Sequence, residues 1–202
     1  MSEREAKAKQ TAKRKRRKRK LSFARVALLT LVLIGIVLIF VGCGYVAGAV
    51  MSLPEWDPQK LVGSESSIIY DREGNAVSRL FAEENRTPVS LHDLPPYLPE
   101  AFIAIEDNRF YDHYGVDLEA IGRAVVANIK GGIGAEGGST ITQQLVKNSF
   151  LTQEKTFKRK IQEAILALQV EHRYSKDEIL EFYLNRIYFG NGVYGVQTAA
   201  QH

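Results

Sequence analysis

Positions 26–50, VALLTLVLIGIVLIFVGCGYVAGAV, carry no charged side chain, and no other feature limits the chain so strongly. A bilayer core offers no water to backbone polar groups, so a run like this crosses it only as a helix, every N–H and C=O paired internally. At 1.5 Å per residue it reaches about 38 Å, enough for a hydrocarbon layer of about 30 Å with some tilt. Residues 1–25 hold 12 Lys/Arg against Glu3 and Glu5, a net of +10 that includes KRKRRKRK at 13–20. Such a basic flank stays on the cytoplasmic side and is drawn to anionic headgroups, which predicts a cytoplasmic N-terminus and an extracytoplasmic remainder. By itself the basic run would also fit a nuclear or nucleic-acid patch. Residues 26–202 carry a net of −6, however, so the pI near 9.1 describes the tail, and a nucleic-acid partner is disfavoured.

Ala47, Gly48 and Ala49 resemble a signal-peptidase site, but the apolar run exceeds the usual core of a secretory leader. Cys43, in FVGCG, faintly resembles a lipid-acceptor site. Phe40 suits that poorly and apolar sequence continues beyond, so a membrane-buried thiol is expected. Cys43 is the single cysteine. The outer part therefore has no internal disulfide and must rely on its core.

Residues 51–66 read as a stiff juxtamembrane linker with Pro54, Pro58 and an interfacial Trp56. SSIIYDREGNAVSRLF, at 66–81, predicts a hairpin around DREGN. From Leu94 the signals turn helical. Pro99 suits a first helical position, with Phe102 and Ile105 on one face. Asp117 is a good N-cap for a helix with Leu118, Ile121, Val125 and Ile129 at helical spacing, and Gly131 and Gly132 stop it. A glycine-rich loop precedes Thr140 and Gln143, which have capping-box spacing, as do Ser175 and Glu178. A helix over 153–174 is expected to bury Phe157, Ile161, Ile165 and Leu168, and KDEILEFYLNRIYFG follows as another helical segment.

Three stretches could carry chemistry. EDNRFYDHYGVD, 106–117, places Glu106 and Asp107 where an apolar helix ends. A solvated helix end is the bland reading; the sharper one is a carboxylate at the rim of an apolar surface acting as a base, with His113 orienting it or merely packing. EGGSTITQQLVKN, 136–148, lets backbone approach a ligand and presents free N–H groups at a helix start, with Lys147 a turn beyond Gln143 and Gln144. It lacks the order of a nucleotide P-loop. In KTFKRKIQEAI, 155–165, Arg159 and Lys160 share a helix face with Glu163. That is a surface salt-bridge set by default, or a site for a pyrophosphate, directly or through a divalent metal.

The joint order of these stretches, followed by ILEFYLNRIYFGNGVYGVQTAAQ, closely resembles glycosyltransferase family 51, the peptidoglycan glycosyltransferases of class A penicillin-binding proteins and their monofunctional relatives. The resemblance implies a mainly α, lysozyme-like fold with a large lobe, a small membrane-embedded jaw lobe and a cleft between them, here over 67–202, opening on a short β-hairpin and following one transmembrane helix. It implies lipid II and the growing glycan strand as substrates, extension by β-1,4 bonds with inversion, and release of undecaprenyl pyrophosphate. Residue by residue it implies Glu106 as general base and Glu163 beside the donor pyrophosphate, with Glu163 a candidate ligand for Mg or Mn. Lys147, Arg159 and Lys160 would contact donor phosphates. Asp107, Phe110, His113, Ser139, Thr140, Gln143, Gln144 and Asn148 would line or shape the substrate cleft. An organic cofactor is not implied, whereas cell-wall elongation or division proteins are natural partners. The family continues past the position of His202 into helices that complete the large lobe, so an N-terminal piece of a longer protein is expected. The competing readings are a lysozyme-like wall hydrolase and a non-catalytic, membrane-anchored scaffold that binds lipid II.

Overall fold

A computed structural model describes residues 3–62, 67–80, 85–132, 134 and 136–202. It divides into two compact units, Met1–Gly48 and Ala49–His202. The start of the basic tail, the linker's end at 63–66, the outer hairpin flank at Phe81, and Ile133 and Ala135 of the glycine loop lie outside the described residues.

The first unit is helical, made of residues of α1, Glu3–Met51. Its segment Arg25–Met51 is long and apolar enough to cross a membrane. Leu28, Ile34, Leu38 and Phe40 are all exposed. A helix apolar all round has no single face to bury against protein, as a lipid-facing span requires.

The second unit takes in the linker as well. A short helix α2, Gln59–Val62, buries Leu61, and Trp56 stacks on Phe150 with the Arg173 guanidinium 4.5 Å from its ring. Leu53, Trp56 and Leu61 therefore pack with the domain core, and Trp56 belongs to that packing.

Strands β1 (Ser67–Tyr70) and β2 (Ala76–Leu80) pair antiparallel, as the hairpin signal predicts. Asp71 ties the turn by accepting from the Asn75 backbone at 2.7 Å. Two-residue strand β3, Asn85–Arg86, leads through a 3-10 turn at Leu91–Asp93 to α3, Tyr97–Glu106. Pro99 thus sits inside the first turn, two residues after its expected place; no intrahelical N–H is required there. After α3 come α4 (Leu118–Gly131), α5 (Ile141–Phe150), α6 (Phe157–Arg173) and α7 (Lys176–Leu184). Strands β4 (Tyr188–Gly190) and β5 (Val193–Tyr194) and helix α8 (Val196–Gln201) complete the chain. The β3–β5–β4 sheet, with β3 parallel to β5, was not foreseen: YFG reads as the end of a helix but extends after Asn185. Asn185 also clamps residue 89 from both sides, accepting from Val89 N at 2.9 Å and donating to Val89 O at 2.8 Å.

The caps explain the helix boundaries. Asp117 accepts from the backbone N–H groups of Glu119 and Ala120, worth about 1 kcal/mol. Both predicted capping boxes form, at Thr140 with Gln143 and Ser175 with Glu178. Thr156 caps α6, which therefore starts at Phe157, four residues later than expected. The core lies between α5, α6 and α7. Ile141, Leu145 and Val146 meet Leu166, Ala167 and Val170 from α6, and Ile179, Leu180, Tyr183 and Leu184 from α7.

One periodicity assignment is corrected, and two further apolar faces are left largely uncovered. In α6 the buried side is Gln162, Glu163, Leu166, Ala167 and Val170; Phe157 and Leu168 are exposed, and Ile161 and Ile165 half-buried. In α4 only Ala124 is buried, while Leu118, at 80% exposure, Ile121, Val125 and Ile129 face outward. In α3, Phe102 packs on the core but Ile105 does not. An apolar stripe says that a surface avoids water, not that protein covers it.

Gly115 fixes how the segment after α3 crosses α6. Its φ is +77°, and a Cβ would sit 2.9 Å from the Ala167 backbone. Replacing Gly115 with Ala is expected to destabilise the domain by about 3 kcal/mol or more, through overpacking added to backbone strain. Gly74→Ala, at φ +84° but in open space, should cost only about 1 kcal/mol. Urea unfolding of the two variants checks the contrast.

Candidate active site

The end of α3 and the start of α5 are locked together by buried polar groups. Asp107 is the C-cap of α3, and its carboxylate accepts the Ile141 backbone N–H, at the first position of α5, at 3.0 Å. The same carboxylate faces His113 Nε2 at 2.9 and 3.1 Å. Thr140 donates its hydroxyl to Gly115 O at 2.6 Å, and Gln143 Oε1 accepts the Thr140 N–H. Two residues after Thr140, Thr142 donates to Glu171 at 2.6 Å, and Glu171 is also paired with Lys176 at 2.8 Å. The Lys176 ammonium lies 4.5 Å from the ring of Phe110, which is fully buried.

This scaffold holds one wall of a cleft of about 920 Å³. Glu106, Asp107, Ser139, Thr140, Gln144 and Lys147 all line it. Glu106 is exposed and accepts a hydrogen bond from Gln144 Nε2 at 2.7 Å. Behind them, the Tyr183 hydroxyl donates to Gln144 Oε1 at 3.4 Å. Burial first, and then the negative charge of Glu106, push the Tyr183 phenol well above its ordinary range. Arg123 and Glu136, which pair at 3.4 Å, line the cleft from α4 and the glycine loop.

A second hollow of about 480 Å³ shares Glu136, Gly138 and Ser139 with the first. Its walls are mainly apolar, from Ile121, Val125 and Ile129, and Lys160 stands among them. Gly138 lets the loop press onto α4, since a Cβ there would be 3.2 Å from Ala124 Cβ. Lys160 Nζ donates to Ser139 Oγ at 2.6 Å and to Glu163 Oε2 at 2.8 Å. Arg159 Nη1 is 2.8 Å from Glu163 Oε1. Glu163 itself is 2% exposed, on the core side of α6.

The predicted residues thus fall into groups. Glu106, Ser139, Gln144 and Lys147 face the cleft, and Asp107 and Thr140 border it while bonding the scaffold. Phe110, His113 and Gln143 are buried behind it. Asn148 turns its carbonyl to Arg186, at 3.2 and 3.3 Å. Arg159, Lys160 and Glu163 form a cluster that reaches the cleft through Ser139. Tyr183, Arg123, Glu136 and Glu171 were missed in the sequence. For Glu171 a signal existed, because it lies two four-residue steps beyond Glu163 on α6. Tyr183 carries no such signal in EFYLN.

The family profile described as Transglycosylase matches residues 73–202. The chain belongs to the transglycosylase family. Penicillin-binding protein 1A/1B of Bacillus subtilis (strain 168) is 52% identical over 172 residues, 82% of this chain and 19% of that protein. Penicillin-binding protein 1F of the same strain is 50% identical over 159 residues, 79% of this chain and 22% of the relative. For penicillin-binding protein 1A of Escherichia coli (strain K12) the values are 49% over 133 residues, 66% and 16%. The chain therefore spans about a fifth of the length of these relatives. The family depends in general on a divalent metal. Glu163 is a single buried carboxylate whose oxygens lie 2.8 Å from Arg159 Nη1 and Lys160 Nζ, so a divalent ion held there would draw its further oxygens from substrate phosphate and water. Among the described residues no three His, Cys, Asp or Glu side chains converge as a metal site.

A buried carboxylate between two cations also has a structural consequence. Glu163→Gln should destabilise the domain by about 2–4 kcal/mol, on the low side for a buried pair because Lys160 reaches solvent. Arg159→Met in the Glu163→Gln background should restore part of that loss, and thermal unfolding of the two variants measures it.

Proposed function

We propose that this chain carries a peptidoglycan glycosyltransferase that polymerises lipid II into β-1,4 glycan strands with inversion, releasing undecaprenyl pyrophosphate. The single observation that carries the reading is the cleft itself: an exposed, hydrogen-bonded Glu106 on one side, Lys147 in the same wall, and an apolar hollow beginning at Ser139 and Lys160. An amphiphile with a phosphate between a sugar and a hydrocarbon tail matches that sequence of surfaces.

In this reading Glu106 takes the proton from the acceptor 4-hydroxyl as that oxygen attacks the donor's anomeric carbon. The new carbon–oxygen bond forms on the face opposite the departing pyrophosphate, which gives inversion. A pyrophosphate needs charge stabilisation more than protonation, so cations replace the general acid of a glycosidase. In this reading Lys147 and Lys160 meet it directly. Arg159, half-buried and held by Glu163, acts by keeping Glu163 and through it Lys160 in position, or by exchanging partners when phosphate arrives.

The apolar face of α4 is read as the part of the jaw that dips into the bilayer. The basic N-terminus is read as cytoplasmic and the domain as extracytoplasmic, where the anchor confines it to the surface in which a lipid substrate diffuses. Growing glycan and cell-wall elongation or division proteins are the partners of this reading.

Glu106→Gln should abolish lipid II polymerisation, by about 100-fold or more for loss of a general base, while leaving the melting temperature close to the parent's. Gel analysis of glycan products from a fluorescent lipid II checks it; strands of parental length and yield would sink the assignment. Lys147→Ala and Lys160→Ala should each weaken binding of a lipid II analogue by roughly tenfold, the value of a charge-assisted contact to phosphate. Unchanged affinity in both would remove the pyrophosphate from this face.

A further inference from the structure

The last carbonyls of α1 have no N–H partner within their own helix, and at the edge of a bilayer such groups ordinarily turn to water. Ala49 is fully buried, however, and the donor comes from another helix. Gln162 Nε2, on α6, lies 2.8 Å from Ser52 O, 3.2 Å from Ser52 Oγ and 3.3 Å from Ala49 O. Two of these acceptors are carbonyls, which can only accept, so the amide must present its nitrogen to them. Leu53 N donates to Val50 O at 3.1 Å and Ser52 Oγ to Ala49 O at 3.2 Å, closing a tight turn around the contact. An amide on the core side of a helix is costly unless it is bonded, and Gln162, 8% exposed, is bonded here. Its neighbours on α6 are Glu163, the next residue, and Arg159 and Lys160 in the turn before. One turn of α6 thus carries both the donor cluster and the group that grips the end of the span. Leu53 and Trp56 continue the docking, Trp56 against Phe150 and Arg173.

We propose that Gln162 is a positioning residue for substrate presented by a bilayer: it fastens the end of the membrane span to the turn of α6 that carries Arg159, Lys160 and Glu163. The charges that meet a lipid-linked phosphate then stand at a set depth from the point where the chain leaves the apolar layer. A lipid substrate holds its phosphates in a plane fixed by the bilayer, so a cluster free to rise and fall on a linker would meet them for only part of the time. Gln162 touches neither sugar nor phosphate in this role. The inference rests on the reading of the chain as a membrane-anchored glycosyltransferase of lipid II.

The test uses the full 202-residue chain reconstituted in phospholipid vesicles. Gln162→Leu removes the donor at similar volume, and Gln162→Lys keeps donors at similar reach. Two substrates are compared: undecaprenyl lipid II in the bilayer, and an analogue with the same sugar and pyrophosphate on a short, water-soluble prenyl chain. In Gln162→Leu the rate on the bilayer substrate should fall about 5- to 20-fold, while the rate on the soluble analogue stays within about twofold. Gln162→Lys should return the ratio of the two rates toward the parent's. Its added charge acts on the same pyrophosphate in both substrates and so cancels in that ratio. Trp56, the single tryptophan, gives a readout that needs no turnover. Its quenching by lipids brominated on their acyl chains should rise at least about twofold in Gln162→Leu, as the local docking opens, and stay parental in Gln162→Lys. Equal losses on both substrates would leave Gln162 a packing residue and overturn the proposal, as would parental rates or parental quenching in Gln162→Leu. If Glu106→Gln still polymerises lipid II, the base assignment fails, while the quenching still decides whether Gln162 holds the end of the span.

Discussion

The carboxylate of Asp107 bonded to the first backbone N–H of α5 is the contact on which the rest of this domain turns. Helix α5 runs through the core, and its first turn is buried. The N–H groups of a helix start have no partners within the helix, and burying them unpaired is costly. Asp107 supplies one acceptor, Thr140 caps another, and Thr142 and Gln143 spend their own polar groups on Glu171 and on the Thr140 backbone. The same bond brings the end of α3 against α5, and so sets Glu106 beside Gln144. Stability and the cleft wall come from one set of atoms.

The second carboxylate that matters, Glu163, is governed by a different balance. On the core side of α6 it would be an uncompensated buried charge without Arg159 and Lys160. Those cations neutralise it, and in doing so it orients them. Lys160 extends past it to Ser139, where the polar cleft and the apolar hollow meet. An ion cluster of this kind is weak evidence for stability, since an apolar replacement could serve as well. Its value is directional: it presents a positive charge at a fixed place beside a hydrocarbon-lined space.

Caps and turns were the most legible part of the fold. Asp117, Thr140 with Gln143, Ser175 with Glu178, and Gly132 act locally, through groups within a few residues, so the sequence contains all their partners. The i, i+3 and i, i+4 pairing of Lys160 and Arg159 with Glu163 was legible for the same reason. Helix faces were read less well. The stripes on α4 and α6 are apolar, yet Leu118, Ile129 and Phe157 are exposed, while Gln162 and Glu163 are buried. Gln162 is buried because it donates to the Ala49 and Ser52 carbonyls, over a hundred residues away in the chain. Periodicity cannot announce a partner at that distance.

By itself the sequence determined the charge-free span, the basic flank, the order of helices with their caps, and the set of residues available for chemistry. These depend on composition, on hydrophobic length and on contacts within a turn or two. Only the tertiary structure decided which of those residues meet. Glu106 and Gln144 are 38 positions apart, and Gln144 and Tyr183 39 apart. Their approach follows from packing α5 against α7 and from the Asp107 bond that brings the end of α3 to the start of α5, which no local spacing encodes. It also decided that Phe110, His113 and Gln143 stand behind the cleft, because the buried start of α5 needs them more than solvent or substrate does.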